Sequence, residues 1–169
     1  MTNLRHDATL FGHPWRLCIS LLLLLGGVQL AYETADAQST NVVYLVRITD
    51  EIDLGLAPFL ARVLDQANDA AARAVILEID TPGGRLDAAL QIRTTILDSR
   101  VRTIAYVNRE ALSAGALIAI AADEIYMAPG AVIGAATPVD GTGEPADTKT
   151  ISAVRSIFRA TAELRERDG

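Results

Sequence analysis

The chain has 169 residues, half of them hydrophobic, with a single cysteine and a formal net charge of −6. That length suffices for one ordinary domain with its own core. An acidic balance without a basic run argues against a nucleic-acid-binding protein, and one cysteine rules out an internal disulfide framework.

The hydrophobic share is inflated by the N-terminus. Arg5, His6, His13 and Arg16 precede the apolar run 17–25, and Ala35-Asp36-Ala37 supplies a small-x-small cleavage site before Gln38. A basic region, an apolar region and a small-residue site together read as a secretory signal peptide over residues 1–37. An uncleaved membrane anchor is the alternative, but the run is short against the roughly 20 residues that a span requires. The expectation is therefore an exported protein whose functional domain is 38–169. That domain lacks cysteine, because Cys18 lies in the apolar region, and it lacks histidine, because His6 and His13 both precede it. Eighteen acidic and thirteen basic residues remain in it.

Residues 42–48 are β-branched and mostly apolar and predict a buried strand. Thr49-Asp50-Glu51 offers a helix start, after which Ile52, Leu56, Phe59, Leu60, Val63, Leu64, Ala67 and Ala71 recur with helical period. A second strand spans 74–80 and runs directly into Thr81-Pro82-Gly83-Gly84. A second helix follows, with Leu86, Ala89, Leu90, Ile96 and Leu97 on one face. Residues 102–107 predict a third strand, and a loop at 108–112 leads to Ser113 and a helix of very small residues. Short strands are expected at 124–127 and 131–133. The stretch 134–148 is long for a loop in a compact domain, and such loops are usually functional. A final helix starts near Lys149 and carries Val154, Ile157, Phe158 and Leu164.

Strands that alternate with helices predict an α/β fold with a mainly parallel sheet, βαβ crossovers and helices packed on it. The Thr81–Gly84 turn and Ser113 both follow strands. They therefore belong at the carboxyl edge of neighbouring strands, where such sheets build their sites.

At the first turn of its helix, Ser113 would meet unpaired N–H groups and the positive end of the helix dipole. Gly83 and Gly84 have no side chains, so a substrate carbonyl can approach their N–H groups. Either one, with the Ala114 N–H, would form an oxyanion hole. The bland readings are a core helix that needs small residues and a tight strand-to-helix turn. A serine nucleophile needs a base. Without a histidine in 38–169 the candidates are carboxylates and one lysine, because the chain has fourteen arginines but Lys149 is its only lysine. Arginine does not deprotonate. A lysine base must have its pKa lowered from about 10.4 toward 7–8, which costs the fold on the order of 4 kcal/mol. Asp140, Glu144 and Asp147 lie just upstream and oppose that shift, and a solvated lysine is the ordinary alternative. Asp80 is expected to cap N–H groups of the following turn. Arg85 is expected either to steer a substrate carboxylate or to be solvated.

The order Asp80-Thr81-Pro82-Gly83-Gly84, Ser113-Ala114-Gly115, Met127-Ala128-Pro129-Gly130 and Ile133-Gly134-Ala135 resembles the ClpP/crotonase superfamily. Within it the chain is similar to the membrane-bound serine proteases of the NfeD family over residues 42–169. The resemblance implies a Ser-Lys dyad, with Ser113 at the nucleophile's position and Lys149 in the region of the catalytic lysine. It places the oxyanion donors at Gly83, Gly84 and Ala114. It implies a serine endopeptidase that cleaves hydrophobic segments of membrane proteins, notably of stomatin- or prohibitin-like partners. It also implies homodimeric or higher assembly, no metal and no cofactor. Longer members continue into membrane spans and a small OB-like barrel, so a truncated form or fragment is expected.

Three other readings compete. An SppA-like signal peptide peptidase would share the fold and dyad. A crotonase-type acyl-CoA enzyme would share the oxyanion geometry, but export argues against it. A non-catalytic scaffold that binds stomatin-like proteins would need no dyad.

Overall fold

The computed structural model describes residues 41–139 and 143–167, so the expected signal peptide lies outside the described residues. Five strands form one sheet: β1 (Val43–Thr49), β2 (Ala74–Thr81), β3 (Thr103–Leu112), β4 (Glu124–Met127) and β5 (Val132–Gly134). The order is β1-β2-β3-β4, with β5 also paired to β3, and every strand pairing is parallel. Among the described residues, four helices alternate with them: α1 (Leu56–Asp69), α2 (Leu86–Leu97), α3 (Ala114–Ala121) and α4 (Thr148–Leu164).

Period-two alternation decides which strand residues enter the core. Val46 and Ile48, Val75, Leu77 and Ile79, and Ala105 and Val107 point to the helical side and are buried. They meet Leu60 and Leu64 from α1, Ile92 and Ile96 from α2, and Leu117 and Ile118 from α3. Each such aliphatic side chain contributes roughly 1.5–3 kcal/mol on burial. Among the described residues, no helix packs on the other sheet face. Leu45, Ile76, Ile104, Tyr106 and Tyr126 line a shallow apolar depression there, bordered by the ion pairs Arg47–Glu78 and Arg102–Glu124.

The α1 start differs from expectation. Asp50 adopts a positive φ of 62°, and Ile52 is drawn into a bridge with Gly84. The helix begins only at Leu56, after Asp53 Oδ1 has accepted the N–H groups of Gly55 and Leu56. Phe59, expected on the core face, is exposed; Ala57 is buried instead.

The expected loop 108–112 is strand. Opposite it the register of β2 against β3 shifts between Ile79 and Thr81. Its polar side chains have sheet partners: Asn108 donates to Glu78, and Arg109 Nε donates to Asp80 Oδ2 at 2.7 Å. The lengthened β3 pairs with β4 near its start and with β5 through Glu110, Ala111 and Leu112. It delivers Ser113 beyond the sheet edge.

The far end of α3 is clamped from the chain's last turn. Arg165 Nε donates to Ala121 O, and the Arg167 guanidinium donates to Ile120 O, Ala122 O and Asp123 O at 2.7–2.9 Å. These cations satisfy carbonyls that a helix end leaves unpaired and offset its negative pole.

Candidate active site

The site is built where β2 and β3 end. Thr81, fully buried, organises the turn after β2. Its hydroxyl donates to Asp50 O and accepts the Gly83 N–H at 3.1 Å. The Ile52 backbone then stitches the turn from outside, with Ile52 N–H bonded to Gly83 O and Arg85 N–H to Ile52 O, both at 2.8 Å. That contact leaves no room for a side chain, since a Cβ on Gly84 would lie 2.3 Å from Ile52 O.

Ser113 sits at φ 52°, ψ −114°, a conformation that non-glycine residues rarely hold. Its backbone N–H is fixed by Gly134 O at 2.8 Å, and its carbonyl receives the Ala116 and Leu117 N–H groups. The half-buried Ser113 side chain lines the cavity described below. Small residues are required around it. A Cβ on Gly115 would lie 2.5 Å from Thr81 Cγ2, so glycine lets α3 lie against the end of β2.

Ser113, Gly83, Gly84 and Ala114 are brought together, as expected. The two glycine N–H groups differ in their partners. The Gly83 N–H donates to the Thr81 hydroxyl at 3.1 Å. The N–H groups of Gly84 and Ala114 make no hydrogen bond among the described residues, and both residues line the same cavity as Ser113.

These residues wall a cavity of about 770 Å³. Leu86, Leu117, Val139, Val154 and Phe158 make most of it apolar, and it adjoins a smaller hollow of about 240 Å³ that shares Val154 and Phe158. Glu51 and Arg85 are its charged lining residues. Arg85 is paired with Asp87, Nη2 to Oδ2 at 2.7 Å and Nε to Oδ1 at 3.0 Å. The hydrogen bond from Arg85 holds the Asp87 carboxyl below its ordinary pKa.

Lys149 is not brought to Ser113. Its side chain is exposed and is not part of the cavity wall, although the next residue, Thr150, is. Asp147, one of the acids expected to hold the lysine charged, caps α4. Its Oδ1 accepts the Lys149 and Thr150 N–H groups, and its Oδ2 accepts the Thr150 hydroxyl at 2.7 Å. Asp80 does not cap the turn, because Arg109 occupies its carboxylate. The turn's cap is Thr81, one residue further on. A threonine two residues before an N–H in a Pro-Gly turn is a recognisable side-chain turn, and that signal was present.

A sequence profile of the NfeD1b N-terminal domain matches residues 42–169. The chain belongs to the NfeD1b N-terminal domain family. Membrane protein NfeD1b of Bacillus subtilis is 45% identical over 147 residues, which is 87% of this chain and 33% of that protein. Membrane-bound protease PH1510 of Pyrococcus horikoshii is 36% identical, over 70% of this chain and 28% of that protein. The NfeD-type chain thus spans about a third of the curated relatives it matches.

Among solved structures, two variants of the 1510-N membrane-bound stomatin-specific protease superpose with a TM-score of 0.68 at 33% identity. They cover 73% of this chain and 63% or 60% of theirs. One carries a serine-to-alanine change. The other carries a lysine-to-alanine change and holds a substrate peptide. A ClpP1 variant from Listeria monocytogenes, at 19% identity and a TM-score of 0.57, shares the fold alone. The NfeD1b-type domain therefore has a ClpP-like fold. No helix among its described residues is long and apolar enough to cross a membrane.

Proposed function

We propose that this domain is an exported, membrane-associated serine endopeptidase in which Ser113 is the nucleophile and Lys149 the base. One observation carries the reading: Ser113 is held at positive φ on the N-terminus of a buried helix and lines the same apolar cavity as Gly84 and Ala114, whose N–H groups make no hydrogen bond among the described residues. Strain kept at a polar, half-buried position points to use, because it lowers stability otherwise.

In this mechanism Ser113 Oγ adds to the scissile carbonyl carbon and its proton passes to the neutral Lys149 amine. The carbonyl oxygen becomes an oxyanion between the Gly84 and Ala114 N–H groups, at the positive end of α3. Collapse expels the amine, which takes the proton from Lys149. Water then hydrolyses the acyl-enzyme by the same base. Lys149 must swing inward for this. Thr150 already lines the cavity, so a lysine side chain at the preceding position starts one residue from the wall.

The apolar lining suits hydrophobic peptide segments. The relative from Pyrococcus horikoshii, a membrane-bound stomatin-specific protease, supports a stomatin-like substrate. Self-association belongs to the same proposal. The apolar strip of Leu45, Ile104, Tyr106 and Tyr126 is surface that a second copy would bury. The outward position of Lys149 favours one other reading, a non-catalytic module that binds such partners.

The test incubates the chain with peptides that contain an apolar run and compares it with Ser113→Ala and Lys149→Ala. Loss of cleavage in both variants supports the dyad. Cleavage retained by Ser113→Ala refutes it, and binding without cleavage by the unaltered chain supports the module.

A further inference from the structure

Among the described residues, Glu51 is the charged lining residue of the Ser113 cavity that has no ion pair. It is held on a fixed segment rather than a free loop. On one side the Asp50 carbonyl is bonded by the Thr81 hydroxyl; on the other, both backbone polar groups of Ile52 are bonded to the Gly83–Arg85 turn. Ile52 itself is fully buried, which anchors that side further. Glu51 therefore stands at a set position next to Gly84, the proposed oxyanion donor.

The second charged lining residue does not balance it. Arg85 is committed to Asp87 through two hydrogen bonds, a planar two-point pairing that uses the fork geometry of the guanidinium. The pair is close to neutral as seen from the cavity. Glu51 has no hydrogen bond or ion pair among the described residues. The cavity therefore offers a large apolar volume with one uncompensated carboxylate at its turn-side wall.

We propose that Glu51 is a specificity-determining residue that selects peptides carrying a lysine or arginine beside the apolar segment that fills the cavity. This rests on the reading of the cavity as a peptide-binding site. A cation beside Glu51 gains Coulomb energy on binding, whereas an acidic residue meets repulsion and leaves two carboxylates facing each other. Because Glu51 is exposed, the effect has the size of a solvent-accessible ion pair, about five-fold in kcat/KM, and it weakens as salt rises.

The experiment uses decapeptides with a central run of leucine and valine. Each carries lysine, glutamine or glutamate at one flanking position at a time. Cleavage is measured for the full chain, and binding is measured by fluorescence anisotropy for Ser113→Ala, which does not depend on turnover. At one flanking side the expected order is lysine over glutamine over glutamate, flattened in Glu51→Gln and inverted in Glu51→Lys. These ratios are internal to each variant, so a change in the fraction folded cancels. Cleavage with the same flank preference in all three forms overturns the role of Glu51 while leaving the protease reading intact. Binding with the expected inversion but no cleavage supports Glu51 and overturns the protease. Neither binding nor cleavage of any peptide overturns both.

Discussion

A Cβ atom on Gly83 would stand 2.7 Å from the Cβ of Ser113. The turn after β2 and the elbow after β3 thus interlock at van der Waals range through backbone rather than through side chains. Gly83 also holds a φ of 115°, which other residues rarely adopt. Gly83→Ala must therefore both strain its own backbone, at about 1–3 kcal/mol, and push Ser113 away from the Ala114 and Gly84 donors. The expected outcome is a lower melting temperature together with loss of peptide cleavage beyond what the unfolded fraction explains.

Thr81 separates two effects in one residue. Thr81→Val keeps the shape but removes the acceptor for the Gly83 N–H and the donor to Asp50 O. A buried N–H left without a partner costs about 1–3 kcal/mol. Thr81→Ser keeps the hydroxyl but loses the methyl group that abuts Gly115. Chemical denaturation should rank the unaltered chain above Thr81→Ser and Thr81→Ser above Thr81→Val, with cleavage recovered in the serine variant only.

The clamp on α3 predicts action at a distance from the site. Arg167→Met keeps the aliphatic stem and removes the three hydrogen bonds to the carbonyls at residues 120, 122 and 123. Burial pushes the Arg167 guanidinium pKa down, yet its carbonyl partners keep it in place as a cation. The loss expected is about 1–2 kcal/mol, the scale of a favourable, partly buried cation at a helix C-terminus. Hydrogen exchange should quicken at the C-terminal end of α3 first.

The cap of α4 gives a pH dependence with a definite sign. The Asp147 carboxyl lies below its ordinary pKa, chiefly because the Thr150 hydroxyl, and then backbone N–H groups, donate to its charged form. A group whose folded pKa is depressed contributes stability above its unfolded pKa of about 3.9, and that contribution disappears as pH falls through the folded value. The N-terminal turn of α4, which carries Lys149, should therefore fray below about pH 4. Asp147→Ala should remove that pH dependence, as followed by nuclear magnetic resonance of the amides of Lys149 and Thr150.

The order of strands and helices was legible because period-two and helical patterns do not depend on neighbours in space. So was the meeting of the Gly83-Gly84 turn with Ser113, because both follow parallel strands. Three features were not legible. Residues 108–112 look polar enough for a loop, yet they form strand, because Glu78 and Asp80 on the neighbouring strand hold Asn108 and Arg109. The partner of the Gly83 N–H is a hydroxyl that only the folded turn brings to it. Glu51 carries no local signal at all until Ile52 is stitched to the turn.

The pairing of Ser113 with Lys149 is tested most directly by covalent labelling. The chain is treated with a fluorophosphonate, and the adduct is located and timed by peptide mass spectrometry, beside Lys149→Ala and Lys149→Arg. An adduct on Ser113 that forms at least tenfold faster in the unaltered chain than in either variant is the result expected, since arginine keeps the charge but cannot take a proton. Labelling of Ser113 at the same rate in Lys149→Ala, or labelling of another residue alone, would contradict the dyad.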